Sequence, residues 1–222
     1  MNGRDAVGAP RRVLLVDDHP IVRQGLRRLI GNEAGLVVCA EAETVREARQ
    51  AVRDHAPDVV VVDLSLKDGD GMDLLKDIRA HHPGLPVLIL SMHDEAVFAE
   101  RLLAAGASGY IMKHAASEQF IVALRRVLEG GMYVSEALAP RLAGRRPGAA
   151  AEDPGHPVSL LSNRELQVLQ MIGRGLSSRQ IAETLHLSIK TVEAHRQRIK
   201  GKLELASGAQ LVQFAANWVA GH

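Results

Sequence analysis

The chain has 222 residues, of which 46% are hydrophobic and 24% charged, with a formal net charge of +1. These totals suit a globular protein with one large or two small cores, and they exclude a disordered chain. No apolar run is long enough to cross a bilayer, and the single cysteine, Cys39, rules out an internal disulfide, as expected of a protein in a reducing cytoplasm.

The charge is unevenly spread. Residues 11–134 carry 15 Lys and Arg against 18 Asp and Glu, whereas residues 157–222 carry 8 against 4. An acidic front and a basic back imply two tasks, the second directed at nucleic acid. The first ten residues lack the apolar core of a signal peptide and read as a loose tail.

In chain order, Arg12 to Asp17 reads as a strand, followed by a helix with an apolar stripe at Ile21, Leu26, Leu29 and Ile30. Leu36 to Ala40 is a short strand and Thr44 to Asp54 a helix closed by Pro57. Val59 to Val62 are four consecutive β-branched residues with no polar side, the pattern of a strand buried on both faces. Asp63 ends it, and Asp68, Gly69, Asp70 and Gly71 mark a loop in which Asp68, Asp70 and Asp73 are structural. Helices are expected over 71–82, 94–105 and 117–129, with strands over 86–91 and 108–113, and Ser117 as an N-cap. Five βα units in succession imply a parallel five-stranded sheet covered on both faces.

In such a sheet the carboxyl ends of the strands line the ligand crevice. Asp17, Asp18, Asp63, Ser91 and Lys113 all follow or end strands, so three acids, a hydroxyl and an ammonium converge. Close carboxylates repel one another, and a hard divalent cation, Mg2+ or Mn2+, relieves the repulsion through oxygen ligands. Asp63 is then a nucleophile toward phosphorus, with Lys113 and Ser91 meeting phosphoryl oxygens.

Val16-Asp17-Asp18, Val62-Asp63, Leu90-Ser91 and Tyr110 to Lys113 resemble the receiver domain of two-component response regulators, a flavodoxin-like (βα)5 fold. The resemblance implies that a sensor histidine kinase phosphorylates Asp63. It also implies that Asp18, Asp63 and the Ser65 backbone carbonyl hold Mg2+, with Asp17 assisting through water, and that Tyr110 changes rotamer as Ser91 moves. The chain departs from the common pattern at Leu66-Lys67, where many receivers have Met-Pro, at Met92, usually a small residue, and at His114, often proline.

Residues 135–157 read as a flexible linker rich in Pro, Gly and Ala. Beyond it, Ser162 to Glu165 and Ser177 to Gln180 form capping patterns, Gly173 and Gly175 close the first helix, and Ser188 caps a third helix reaching about Leu203. Ile189, Val192, Ile199 and Leu203 are its expected buried positions, and a last helix presents Leu211, Phe214, Ala215 and Trp218. Two short helices at a sharp turn, the second basic outside, make a helix-turn-helix. Glu193, Ala194 and Gln197 are placed to meet base edges, and Lys190, Thr191, Arg196, Arg198 and Lys202 to meet phosphates.

Leu161-Ser162, Gly175-Leu176-Ser177, Ile181-Ala182, Leu187-Ser188, Thr191-Val192 with His195, and Lys202-Leu203 resemble the LuxR-type DNA-binding domain. The whole chain is similar to a NarL/FixJ-family response regulator: a receiver over 11–134, the linker, and an all-α domain of four helices over 158–222. The resemblance implies a cytoplasmic transcription regulator rather than a conventional enzyme, its receiver catalysing only its own phosphoryl transfer and slow dephosphorylation. The implied partners are a histidine kinase, promoter duplex, RNA polymerase and, on phosphorylation, a second copy of the chain, with no membrane. A phosphatase-type hydrolase stays open as an alternative, although it needs a second acid where Ser65 stands; so does a ligand-sensing regulator in which Asp63 never reacts.

Overall fold

The computed structural model describes residues 9–66, 69–92, 95–115, 117–140, 157–185 and 187–221. Lys67, Asp68, His93, Asp94, Ala116, His186 and most of the expected linker (141–156) lie outside the described residues. The chain separates into two compact units, the first holding the sheet and the second helical.

The first unit runs β1 (Arg11–Val16), α1 (Pro20–Gly31), β2 (Leu36–Ala42), α2 (Val45–His55), β3 (Val59–Asp63), β4 (Ser65–Leu66), β5 (Gly69–Asp70), α3 (Gly71–His81), β6 (Val87–Ser91), α4 (Glu95–Ala104), β7 (Gly109–Met112) and α5 (Ser117–Leu128). The five main strands lie in the order β2-β1-β3-β6-β7, and every pairing is parallel. Parallel neighbours need crossovers, and the intervening helices supply them.

The valine run explains itself in this sheet. Side chains alternate across a strand, so Val59 and Val61 join Leu26, Ile30, Phe120 and Leu124 in one core beneath α1 and α5. Val60 and Val62 face the other way and are equally buried. A polar residue at any of the four would be stranded in a core.

Three expectations change in this unit. The stretch after Asp63 is a two-residue antiparallel ladder, with Ser65 opposite Asp70 and Leu66 opposite Gly69, before Asp70 caps α3 by accepting the Met72 N–H. Ser117, the expected cap, is itself the first residue of α5. Ile21 is exposed, because nine positions at 100° each turn it half a revolution from buried Ile30.

The second unit holds α6 (Asn163–Gly173), α7 (Ser178–Thr184), α8 (Ile189–Lys202) and α9 (Gly208–Ala220), preceded by a 3-10 turn at Pro157–Leu160. Both capping boxes form: Ser162 with Glu165, and Ser177 with Gln180. Ser188 accepts the Thr191 N–H at the start of α8. Val192, Ile199 and Leu203 are buried as expected, but Ile189 is 51% exposed. Helical side chains lean toward the N-terminus, so Ile189, the first residue of α8, leans off its end instead of onto the core. Leu211, Ala215 and Trp218 are buried in α9. A Cβ added at Gly173 would press into the Ala215 carbonyl, so α6 and α9 touch backbone to backbone there. The apolar stripe of the last helix is thus used within its own unit. Among the described residues no helix is long and apolar enough to cross a membrane.

Candidate functional site

Strand register brings the polar residues to one edge. Val16 pairs with Val62, Asp63 with Leu90 and Ser91 with Met112, so β1, β3, β6 and β7 finish level. Asp17, Asp18 and Asp63 are only 2%, 4% and 3% exposed. The Lys113 ammonium lies 2.7 Å from Asp17 Oδ2 and 2.7 Å from Asp63 Oδ2. The Lys113 backbone N–H donates to the Ser91 carbonyl at 2.7 Å, tying the ends of β6 and β7. Ser91 and Tyr110 are fully buried. The Ser65 backbone N–H donates to Asp63 Oδ1 at 3.2 Å.

This edge carries more negative than positive charge. Burial raises the Asp63 carboxyl to about 6, Lys113 opposing and Asp17 adding to the rise. Burial alone would lower the Lys113 ammonium; Asp63 and then Asp17 outweigh it and hold it above its ordinary value. Three nearly sealed carboxylates, two of them on one ammonium, form a donor set that suits a divalent cation.

Two residues that sequence reasoning did not single out belong here. His19 occupies the N-cap position of α1 without a side-chain capping bond, and its Nδ1 lies 2.7 Å from Asp18 Oδ1 and 3.1 Å from Asp17 Oδ1. Asp17, Asp18, His19 and Asp63 each offer a ligand atom, all within 4.8 Å of one another. Arg23, one helical turn on, donates to the Asp17 carbonyl at 2.6 Å, to Glu41 at 3.2 Å and to Glu43 at 2.5 Å. Position was the available signal: His19 directly follows the acid pair, and i to i+4 puts Arg23 on the same face of α1.

Gly71 sets the floor. Its N–H donates to the Leu64 carbonyl at 3.0 Å. A Cβ there would stand 2.5 Å from the Asp63 carbonyl oxygen and 2.9 Å from Leu64 Cα.

In the second unit α8 carries the expected contact residues. Lys190, Glu193, Ala194, Gln197, Arg198 and Lys202 are exposed, and Thr191 and Arg196 half-buried. Some already have partners. The Ser178 hydroxyl donates to Glu193 at 2.5 Å, and Arg196 Nε lies 3.7 Å from the same oxygen. The Lys202 ammonium donates to Glu165 Oε2 at 2.7 Å. Burial raises the Glu165 carboxyl, but Lys202 and the Ser162 N–H outweigh it, and its pKa is lowered. Burial lowers the His195 imidazole, and Arg198 and Arg164 lower it further.

Comparison with known proteins matches residues 13–125 to the response regulator receiver domain and residues 159–215 to the bacterial regulatory proteins of the luxR family. The oxygen regulatory protein NreC of Staphylococcus haemolyticus is 36% identical over 208 residues, 92% of this chain and 96% of that protein. A LuxR-family two-component response regulator from Aurantimonas sp. SI85-9A1 superposes with a TM-score of 0.57 at 38% identity, over 61% of this chain and 96% of that one. RcsB from Salmonella enterica serovar Typhimurium, bound to promoter rprA with the phosphomimetic BeF3-, gives a TM-score of 0.60 at 25% identity, over 93% of this chain and 98% of that one.

Proposed function

The chain belongs to the two-component response regulators of the NarL/FixJ family, which join a receiver domain to a LuxR-type helix-turn-helix domain, and from that premise we propose that phosphorylation of Asp63 by a sensor histidine kinase controls its binding to promoter DNA. The family is one of transcription regulators and not of conventional enzymes. The observation that carries the site assignment is the Lys113 ammonium held 2.7 Å from both Asp63 and Asp17 at the end of the sheet.

An Asp63 carboxylate oxygen forms the bond to phosphorus as the donor's P–N bond breaks, and the departing imidazole is reprotonated from solvent. Receivers generally bind Mg2+ at their acid cluster, and the donor set here suits it. Asp18, Asp63 and the Ser65 carbonyl would hold Mg2+ or Mn2+, with Asp17 assisting through water. When bound, the cation would neutralise charge on the phosphoryl oxygens. Lys113 exchanges its Asp63 contact for a phosphoryl oxygen, the Ser91 hydroxyl donates to another, and Tyr110 follows Ser91. Buried on all sides, Ser91 and Tyr110 cannot shift without moving what packs on them.

In the second unit Glu193, Ala194 and Gln197 read base edges. Lys190, Thr191, Arg196, Arg198 and Lys202 position the duplex through phosphates. The functional division is a receiver over 11–134, a linker over 135–157 and a DNA-binding domain over 158–222. Phosphorylation favours a homodimer that reads two half-sites, and RNA polymerase is the downstream partner in the cytoplasm.

The test is incubation with acetyl phosphate and Mg2+, followed by intact mass. Wild type gains one phosphoryl group and Asp63→Asn gains none. Equal labelling of the two proteins removes Asp63 as the acceptor.

A further inference from the structure

His19 stands where carboxylates alone would be expected to complete a cation site. Its Nδ1 lies 2.7 Å from Asp18 Oδ1, 3.1 Å from Asp17 Oδ1 and 3.8 Å from Asp63 Oδ2. Ligands at right angles around an ion with bonds of ~2.1 Å stand about 3.0 Å apart. The Asp18 spacing falls close to that value and the Asp63 spacing within the span of ligands on opposite sides of an ion, while the Asp17 spacing is that of a hydrogen bond.

The backbone holds the ring there. His19 is extended, with φ −98 and ψ 107, and Pro20 begins α1. A residue before proline is kept from the helical region, so His19 cannot join the helix and swing its ring away. Its own N–H donates to Asp17 Oδ1 at 2.8 Å, which pins the Asp17–His19 turn. The three acids are buried, whereas the His19 side chain is 44% exposed and forms the solvent-facing wall of the cluster.

Resting on the reading of this cluster as the receiver's cation site, we infer that His19 is a direct nitrogen ligand and that the site favours first-row transition divalent ions over Mg2+. Mg2+ takes oxygen ligands and dehydrates reluctantly. An imidazole in place of one water adds affinity for ions such as Co2+, Ni2+ or Zn2+, and little for Mg2+. The ligand sphere is then mixed, with carboxylates from β1 and β3 and a nitrogen from the start of α1.

The experiment uses the full chain loaded with one equivalent of Mn2+ and pulsed electron paramagnetic resonance, which detects nitrogen bound to the metal. Wild type is expected to show imidazole nitrogen coupling, and His19→Ala to retain Mn2+ but lose the coupling. In parallel, competition between Co2+ and Mg2+ should show the Co2+ preference falling by about tenfold or more in His19→Ala, since partners outside the ligand shell already act on that scale. Wild type without nitrogen coupling, or coupling and preference that survive in His19→Ala, overturns the inference. Asp18→Asn and Asp63→Asn separate the two levels of the argument. If both bind Mn2+ as wild type does, the cation site itself is misassigned. If both lose Mn2+ while wild type shows no nitrogen, only the role of His19 falls.

Discussion

Replacing Gly71 with alanine should damage the receiver out of proportion to the single methyl added. The new Cβ would lie 2.5 Å from the Asp63 carbonyl oxygen and 2.9 Å from Leu64 Cα, and both obstacles are backbone. A flexible side chain could rotate aside; a strand end fixed between β1 and β6 cannot. Overpacking of this kind costs about 1–3 kcal/mol, and backbone on both sides places Gly71→Ala near the upper figure. With a urea dependence of about 1.5 kcal/mol per molar for a domain of this size, the receiver transition should fall by about 1–2 M. Far-UV circular dichroism follows that transition. Trp218 fluorescence, which arises in the second unit, should be unchanged and serves as an internal control. Two further glycines calibrate the result. At Gly69 the Cβ would meet only the end of the Val45 side chain at 3.0 Å, so the cost should be smaller. At Gly25, within α1 and with nothing inside 4 Å, alanine should stabilise by about 0.5–1 kcal/mol through helix propensity. A Gly71→Ala midpoint equal to that of Gly69→Ala would refute the reasoning, because it would show that the Asp63–Leu64 backbone yields freely.

Arg23→Ala should raise the Mg2+ concentration needed for half-maximal labelling of Asp63 by acetyl phosphate, because the Asp17 carbonyl loses its guanidinium partner; Arg23→Lys should not restore it, since one ammonium cannot span Asp17, Glu41 and Glu43 as a planar fork does. Lys202→Met should flatten the acid side of the stability profile of the second unit. The Glu165 pKa is lowered on folding, so its contribution is present above about pH 4.5, the ordinary glutamate value, and is lost as pH falls through the folded value. Melts followed by Trp218 check this, and parallel profiles in the two proteins would free Glu165 from Lys202. His195 has the same sign with a different window: its folded pKa is below 6.5, so wild type should lose stability as pH drops below about 6.5, and His195→Gln should lose less over that range. Arg198→Ala should flatten the salt dependence of DNA binding by about one unit of slope; an unchanged slope would put Arg198 off the phosphates.

What the amino-acid order determined by itself was everything governed by near neighbours and by period. The valine run announced a strand buried on both faces, and the structure seals all four side chains. The boxes at Ser162 with Glu165 and Ser177 with Gln180 form as spaced, because a cap links residues three apart and needs no partner from elsewhere. The alternation of strand and helix carried the sheet, and the acids at strand ends foretold the cluster that forms there. Folding decided what those residues do to one another. Lys113 reaches Asp63 across 50 positions, and Lys202 reaches Glu165 across 37. Periodicity placed Lys202 on the outer side of its helix but said nothing of a buried carboxylate waiting beside it. His19 reads as a residue in passing until its ring is found among three carboxylates. A period specifies which face a side chain occupies. What lies opposite that face depends on how distant segments pack, and a local pattern carries no information about that.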